Sequence, residues 1–545
     1  MTISATSLAA ANAVSVNNVQ FAPASEVLAR KIVVIGTYDP TKTTVVAATP
    51  IQVLSPEDAG GRFGFGFMLH RLVRAVFAGS KGVECWCVPQ AEVAGAKAAG
   101  TLTIVGTTTA AGTVHLYIAG DYVPVSIAKG STAAQTATAI IAAITANTSL
   151  PVTAAQTATA IIAAITANTS LPVTAAVDGS VTHEIDVTAK TTGTYGNEIK
   201  MRLNVFGGQE LPAGMTSITV VDLTGGTGTP VMANALNGLG TGDLANAGHF
   251  TDGVHGYLQD STSLASISTY NGEGNDATGL YDKLVARPLR FLTGDIDAGS
   301  DALTALAVIG NAAKATDRTN GIIAVPDSPN HPSEIAAVAI GVMARVNNDR
   351  AEESYVGKLL PGVIAGRQVA IGASTGRWTD TYDNRDTAVK AGISPTIADA
   401  GFTVRLQNVL TFYHPDSVPV GSNGYRSMRN ISIVQNLLNS VKTNFAQEKW
   451  QGISIVEDVS KVSNALSKDK ARSTGSVITD LVALADSWAS RAWLYNATFT
   501  KENLSVEIRT GGIGFDSVCP VVLSGEGGIL DTRVDFDTAL TVFLA

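Results

Sequence analysis

KIVVIG at residues 31–36, FMLHRLVRAVF at 67–77 and GVECWCVP at 82–89 form a strand–helix–strand series, and this series narrows the fold more than any other feature. The short β-branched run reads as a buried strand, and the middle segment has the apolar spacing of a helix. Such a series closes into an α/β layer. TTVVAA (43–48) and PIQVL (50–54) are further strand candidates within it. After residue 203 the alternation resumes. ITVVDL (218–223), LVARPLRFLTG (284–294) and NGIIAVPD (320–327) are strand-like, and Ala-rich helices such as SEIAAVAIGVMARVNND (333–349) lie among them. We therefore expect an α/β middle domain in two segments, 26–100 and 196–392.

Between those segments the character changes. TLTIVG (101–106), GTVHLYIAG (112–120), YVPVSIA (122–128) and HEIDVTAK (183–190) are strands set off by Gly, Thr and Asp turns, with one Ala-rich helix among them. Residues 101–195 read as an inserted β-rich module. Within it the 21-residue segment AAQTATAIIAAITANTSLPVT occupies 133–153 and recurs without change at 154–174. Two copies are too few for a solenoid, which needs about three units to build a core; a recent tandem duplication or a sequence-assembly artefact accounts for them.

From 393 to 528 we expect a helix-plus-sheet C-terminal domain. FTVRLQNVLTFY (402–413) is a strand-pair candidate and NLSVEIRT (503–510) a strand. Helical spacing places Ile431, Val434, Leu438, Val441 and Phe445 on one stripe, and Ile478, Leu481, Leu484, Trp488 and Ala492 on another. The two ends differ from everything between. Residues 1–25 carry no charge, yet Val14, Val16, Val19 and Phe21 alternate at strand period. After GEGG, residues 529–545 do the same with Leu530, Val534, Phe536, Leu540 and Val542. A strand with no local core beside it must find its partner elsewhere. The fold class expected is thus mixed α/β and α+β, multidomain, with extended strand-forming arms at both termini.

Composition limits the functions. The 545 residues carry a formal charge of −9, and no run of Lys or Arg offers phosphate contacts, which argues against nucleic acid. Three cysteines are too few for a disulfide framework, and Cys85 and Cys87 share one face of a strand, so buried thiols in a reducing cytosol are expected. The first 21 residues lack the basic region and continuous apolar core of a secretory signal, and no apolar run reaches spanning length. GASTG at 372–376 matches the nucleophile-elbow pattern around Ser374, but the polar RWTDTYDNRDT that follows supplies no helical stripe, and His414 precedes a proline. Residues 36–43 keep the spacing of a phosphate loop, but Thr41 stands where the second glycine belongs and Pro40 removes a donor. Neither pattern assembles a site, so the expectation is no enzyme, no cofactor and no metal. Residues 426–494 hold nine Lys or Arg against six Asp or Glu.

Several phrases, in their order, resemble the contractile tail sheath proteins of the Mu-like phage family. They are GTVHLYIAGDYVPVSIAKGSTAAQTATAIIAAI, LPVTAA, TGTYGNEIKMRLN, LPAGMT with the later TGGTGTP, and VRLQNVLTFY after the ISPT turn. The resemblance covers nearly the whole chain. It implies a structural subunit that polymerises as stacked hexameric rings around an inner tail tube and contracts to drive the tube through a bacterial envelope. The implied place is a virion tail or a phage-like injection system, assembled in the host cytoplasm. The implied partners are further copies of the chain, the tube protein, and baseplate and tail terminator proteins, with no membrane insertion. The family's arms donate strands to the C-terminal sheets of neighbours. Here they would be residues 13–21 and 530–544, while Arg426, Arg429, Lys442 and Lys449 would face the tube. The ending ALTVFLA and the duplication depart from the family pattern.

Overall fold

The computed structural model describes residues 27–146, 170–181, 183–240, 250–272, 279–281, 285–294, 317–365, 381–398, 403–413 and 424–527. They fall into two compact units, one of Val27–Asn439 with residues 525–527 and one of Ser440–Ser524.

The larger unit is built on a nine-stranded sheet. Its order is Leu359–Ile364, Thr403–Leu406, Ile393–Ala398, Asn320–Ala324, Arg290–Gly294, Asp252–His255, Lys31–Thr37, Glu84–Gln90 and Ile51–Val53. From Ile393–Ala398 to Glu84–Gln90 all neighbours are parallel, and antiparallel strands finish both edges. Parallel strands are covered on both faces, which is why KIVVIG and NGIIA read as unbroken apolar runs. The expected strand at 43–48 does not form: the segment turns, and Val46 is exposed.

Helices Met68–Gly79 and Pro332–Asp349 pack against each other at very close range. A Cβ added at Gly79 would stand 2.2 Å from the Val338 carbonyl oxygen, and one at Gly341 2.4 Å from that of Val76. The two glycines are what let the backbones approach.

The inserted module is larger than the sequence suggested. Lys97–Gly106 pairs with Glu184–Thr192 on one side and, on the other, with Met215–Thr224, which contains the ITVVDL segment expected in the middle domain. Met201–Leu203 joins a second sheet with Gly112–Ile118 and Asp121–Ile127. The module therefore runs over 97–224. Apolar residues of both sheets, among them Leu102, Ile104, Leu116, Val125, Val187 and Met201, share one core with helix Ala133–Ala146.

Arg71 fastens this module to the middle domain. Its guanidinium, fully buried, holds Glu334 of helix Pro332–Asp349 at 2.7 and 2.9 Å and reaches across to Asp121 and to the Ala119 carbonyl of the module. Arg74 adds bonds of 2.8 and 2.9 Å to Asp121, and the Tyr195 ring stacks on His331.

The boundary expected at 393 is also corrected. Ile393–Ala398 and Thr403–Leu406 extend the large sheet, so the second unit begins after Asn439. The cause lies in helix Met428–Phe445. Ile431 of its expected stripe is buried, but Val434, Leu438 and Val441 are only half-buried. The helix instead buries a polar row: Arg429, Ser432, Gln435, Asn436, Ser440 and Asn444. That row receives the incoming chain. Asn436 accepts from the Leu28 amide at 2.9 Å, Ser432 and Gln435 take the Arg30 guanidinium, and Gln435 donates to the carbonyls of Thr251 and Pro288.

Candidate assembly interface

The Ser440–Ser524 unit is organised around helix Thr474–Ser490. Leu481, Leu484 and Trp488 are buried as the spacing predicts, but Val477 takes the place expected for Ile478, and Ala492 lies exposed beyond the helix end. Trp488 donates to Ser440 Oγ at 2.9 Å, and Trp493 is buried beside it. Asp480 collects three donors: Lys449 at 2.6 Å, Trp450 at 2.8 Å and Asn444 at 3.0 Å. Burial would raise its carboxyl, but these bonds prevail and hold it below the ordinary range.

Beyond that core stands a two-stranded antiparallel ribbon, Ser505–Ile508 with Phe515–Val518. The turn between them carries Gly511 and Gly512 at positive φ (90° and 69°), closed by Arg509 N donating to Gly514 O at 2.9 Å. Among the described residues no third strand pairs with either edge. Directly opposed residues share a face. One face therefore carries Val506, Ile508, Phe515 and Ser517, the other Ser505, Glu507, Asp516 and Val518. Ile508 is 46% exposed, Val518 63% and Ile513 at the turn 84%, far more apolar surface than a finished sheet leaves open. A lone two-stranded ribbon is marginal in water, and its free edges are templates for further strands.

After the ribbon the chain runs antiparallel to residues 493–495. Tyr495 N donates to Val522 O at 2.8 Å and Ser524 N to Trp493 O at 3.0 Å. Glu526, which belongs to the larger unit, accepts from Ser354 Oγ and, at 3.2 Å, from Ser427 Oγ. Both described ends of the larger unit are thus tied down by buried or half-buried polar groups, Leu28 and Arg30 at one and Glu526 at the other.

The four expected tube-facing cations do not form one exposed face. Arg426 donates to Val389 O at 2.6 Å, and Lys449 is paired with Asp480. Arg429 is 3% exposed and donates to Glu352 O at 2.6 Å, so its expected surface position is corrected. Lys442 is half-buried. The arm residues Val14, Val16, Val19, Phe21, Leu530, Val534, Phe536, Leu540 and Val542 lie outside the described residues, as do Ser374 and His414. NLSVEIRT identified one strand of the ribbon; its partner, FDSV, went unread although RTGGIG between them is a hairpin signal.

Among the described residues, 36–43 and the carboxyl end of the large sheet hold no open cleft around the phosphate-loop spacing. Thr41 donates from N and Oγ1 to Asp39 Oδ1, which makes a side-chain turn of the supposed phosphate loop. Open α/β sheets receive ligands beyond the carboxyl ends of their strands, and here the Met68 thioether fills that space. It accepts from Thr37 N at 3.4 Å, and a Cβ at Gly36 or Gly256 would stand 2.9 or 2.2 Å from its sulfur. Cys85 and Cys87 are buried, burial pushing the Cys85 thiol up to about 12, while Cys519 is half-buried. Among the described residues no helix is long and apolar enough to cross a membrane, and no group of three His, Cys, Asp or Glu could hold a metal.

No family model matches the chain. Over 425 residues it is 24% identical to the Mu-like prophage FluMu tail sheath protein of Haemophilus influenzae, which spans 77% of this chain and 75% of the relative. The likeness read from the sequence phrases is thus found again in a curated relative. Solved structures similar to the chain include the sheath tail protein of Desulfitobacterium hafniense (11% identity, 93% of this chain, 100% of the other, TM-score 0.41) and that of Listeria innocua (12%, 92%, 94%, 0.42). The contracted helical sheath of the anti-feeding prophage is a third (10%, 97%, 99%, 0.43).

Proposed function

We propose that this chain is a structural subunit of a contractile tail sheath, in a virion or a phage-like injection system. It would polymerise as stacked hexameric rings around an inner tube, with baseplate and terminator proteins at the ends. The observation that carries this reading is the ribbon Ser505–Ile508/Phe515–Val518, a sheet left at two strands with apolar side chains exposed. It stands in a chain whose ends, 13–21 and 530–544, alternate like strands. The likeness to a tail sheath protein supports the same reading.

The mechanism is strand addition. Main-chain hydrogen bonds tie an incoming arm to the ribbon edge while alternate side chains fill the surface. Each bond nets only about 0.5–1.5 kcal/mol, so one arm is a modest tether, and a lattice of them holds while bodies rearrange. Contraction would draw on apolar surface buried more fully in the final packing, at roughly 25 cal/mol per Å². The Ser440–Ser524 unit, which carries the ribbon, is assigned to the tube side.

The test is removal of residues 530–545. The truncated protein is expected to remain folded by circular dichroism and to sediment as monomer, while full-length protein forms tubes or rings. Tubes from the truncated protein would remove the arm as linker, and an unfolded product would place the last strand in its own subunit's core.

A further inference from the structure

Resting on that strand-addition reading, we propose that residues 531–535 of a neighbouring copy dock along the Ser505–Ile508 edge in one register, with Arg533 beside Glu507. The ribbon supplies the first half of the evidence. Ser505, Glu507 and, one step past the strand, Arg509 recur at period two and so line one face of the edge strand. Glu507 faces Asp516 directly across the ribbon, a like-charge pair, and Arg509 answers only Asp516, at 3.3 Å. Among the described residues Glu507 has no ion-pair partner.

The sequence supplies the second half. In residues 529–545 the same period sorts Asp531, Arg533 and Asp535 to one face and Thr532, Val534 and Phe536 to the other. Set Arg533 opposite Glu507, and the flanking aspartates fall opposite Ser505 and Arg509 whichever way the strand runs. Val534 then lies on the apolar face beside Val506 or Ile508. A slip of two residues sets an aspartate against Glu507, and a slip of one turns Val534 and Phe536 to the charged face. The other edge selects nothing comparable, since Gly514 and Val518 flank Asp516. The N-terminal arm offers no cation, because residues 1–25 carry no charged side chain. Exposed pairs of this kind fix register and partner more than strength.

The test is a charge exchange in full-length protein, read as the concentration at which tubes or rings appear in sedimentation. Arg533→Asp and Glu507→Lys are each expected to raise that concentration by about tenfold or more. The double variant should return to the unmodified value. Arg533→Asp with Asp516→Lys should not. Mixing the two single-variant proteins should also restore assembly, because each then finds a matched partner in the other. Restoration in the double variant but not in the mixture would mean that the arm folds back onto its own chain, which overturns the proposal. Failure of the double variant, or equal rescue by Asp516→Lys, would overturn the register; loss of assembly on removing residues 530–545 would still leave strand addition standing.

Discussion

Arg71 grips Glu334 through two parallel hydrogen bonds, Nε to Oε1 at 2.7 Å and Nη2 to Oε2 at 2.9 Å, with the arginine fully buried and the carboxylate nearly so. Burial alone works against the Arg71 charge, but Asp121 and Glu334 together outweigh it. A pair of this geometry costs much more to break than it gives when formed, because the surviving charge stays in the interior. Glu334→Ala should therefore lose about 3–5 kcal/mol, while Arg71→Met with Glu334→Leu should lose far less. Urea unfolding followed by fluorescence gives both numbers. Equal losses would mean that packing, and not the stranded charge, dominates at this joint.

Three histidines make the fold sensitive to mild acid. His70, His255 and His331 each accept a backbone N–H at Nδ1, from Gly66 at 3.0 Å, Tyr257 at 3.3 Å and Ser333 at 3.2 Å. Burial disfavours the charged ring and lowers the three to about 3, about 4 and about 3, and a proton on Nδ1 would break the bond it accepts as well. Because the folded values lie below the ordinary 6.5, the stability they confer is complete above pH 6.5. It falls away as pH drops toward 4, by about 1.4 kcal/mol per pH unit for each histidine. Unfolding free energies at pH 7, 6 and 5 measure the slope, and His255→Gln should remove roughly a third of it. A flat profile over that interval would mean that the imidazoles take up protons as readily in the native state as in the unfolded one.

At Gly341 two effects oppose each other. Alanine would favour helix Pro332–Asp349 by about 1 kcal/mol, but its Cβ would stand 2.4 Å from the Val76 carbonyl oxygen, a backbone atom that cannot swing aside. Parting two packed helices costs about 1–3 kcal/mol. Gly341→Ala should be destabilising on balance, and Gly341→Val more so. Gly61, with open space around its Cβ position, is the control, where alanine should not harm the fold.

The α/β layer was legible because its strands are buried on both faces and its helices amphipathic; KIVVIG, GVECWCVP and NGIIAVPD all entered the sheet. What escaped followed two physical causes. Strand pairing is non-local, so nothing in ITVVDL says that its partner is Lys97–Gly106 and not another middle-domain strand. Polar residues read as solvated, yet Ser432, Gln435 and Asn436 are buried because they bond the backbone of residues 28, 251 and 288 and the Arg30 side chain. Of the ribbon, the strand 505–508 was visible from its alternation. That among the described residues the sheet stops at two strands was not, since an unfilled edge leaves no mark on sequence. Arg429 failed as a surface cation for the same reason as the polar row: its partner is the Glu352 carbonyl, remote in the chain.

The repeated segment yields the last prediction. Deleting residues 154–174 joins Thr153 to Ala175, and because the copies are identical, the sequence leading into strand Val173–Val177 is unchanged. Leu150 and Val152 would take over the buried places of Leu171 and Val173, and the carbonyl of Ser149 that of Ser170, which Arg71 Nη1 reaches at 3.3 Å. Helix Ala133–Ala146 keeps Ala137, Ile140 and Ile141 in the module core. The deletion takes out 21 residues from the stretch of sequence between that helix and the strand. Shortening a connection changes its closure entropy by about 0.6 kcal/mol per halving, so the deletion should leave the unfolding midpoint nearly unchanged, or raise it slightly. Assembly should be unaffected as well, since the ribbon and the arms are untouched. Unfolding and sedimentation of the deletion protein beside the full chain test both. A loss well beyond 1 kcal/mol would mean that the second copy packs into the core, and intact folding with lost assembly would place the repeat at a contact between subunits.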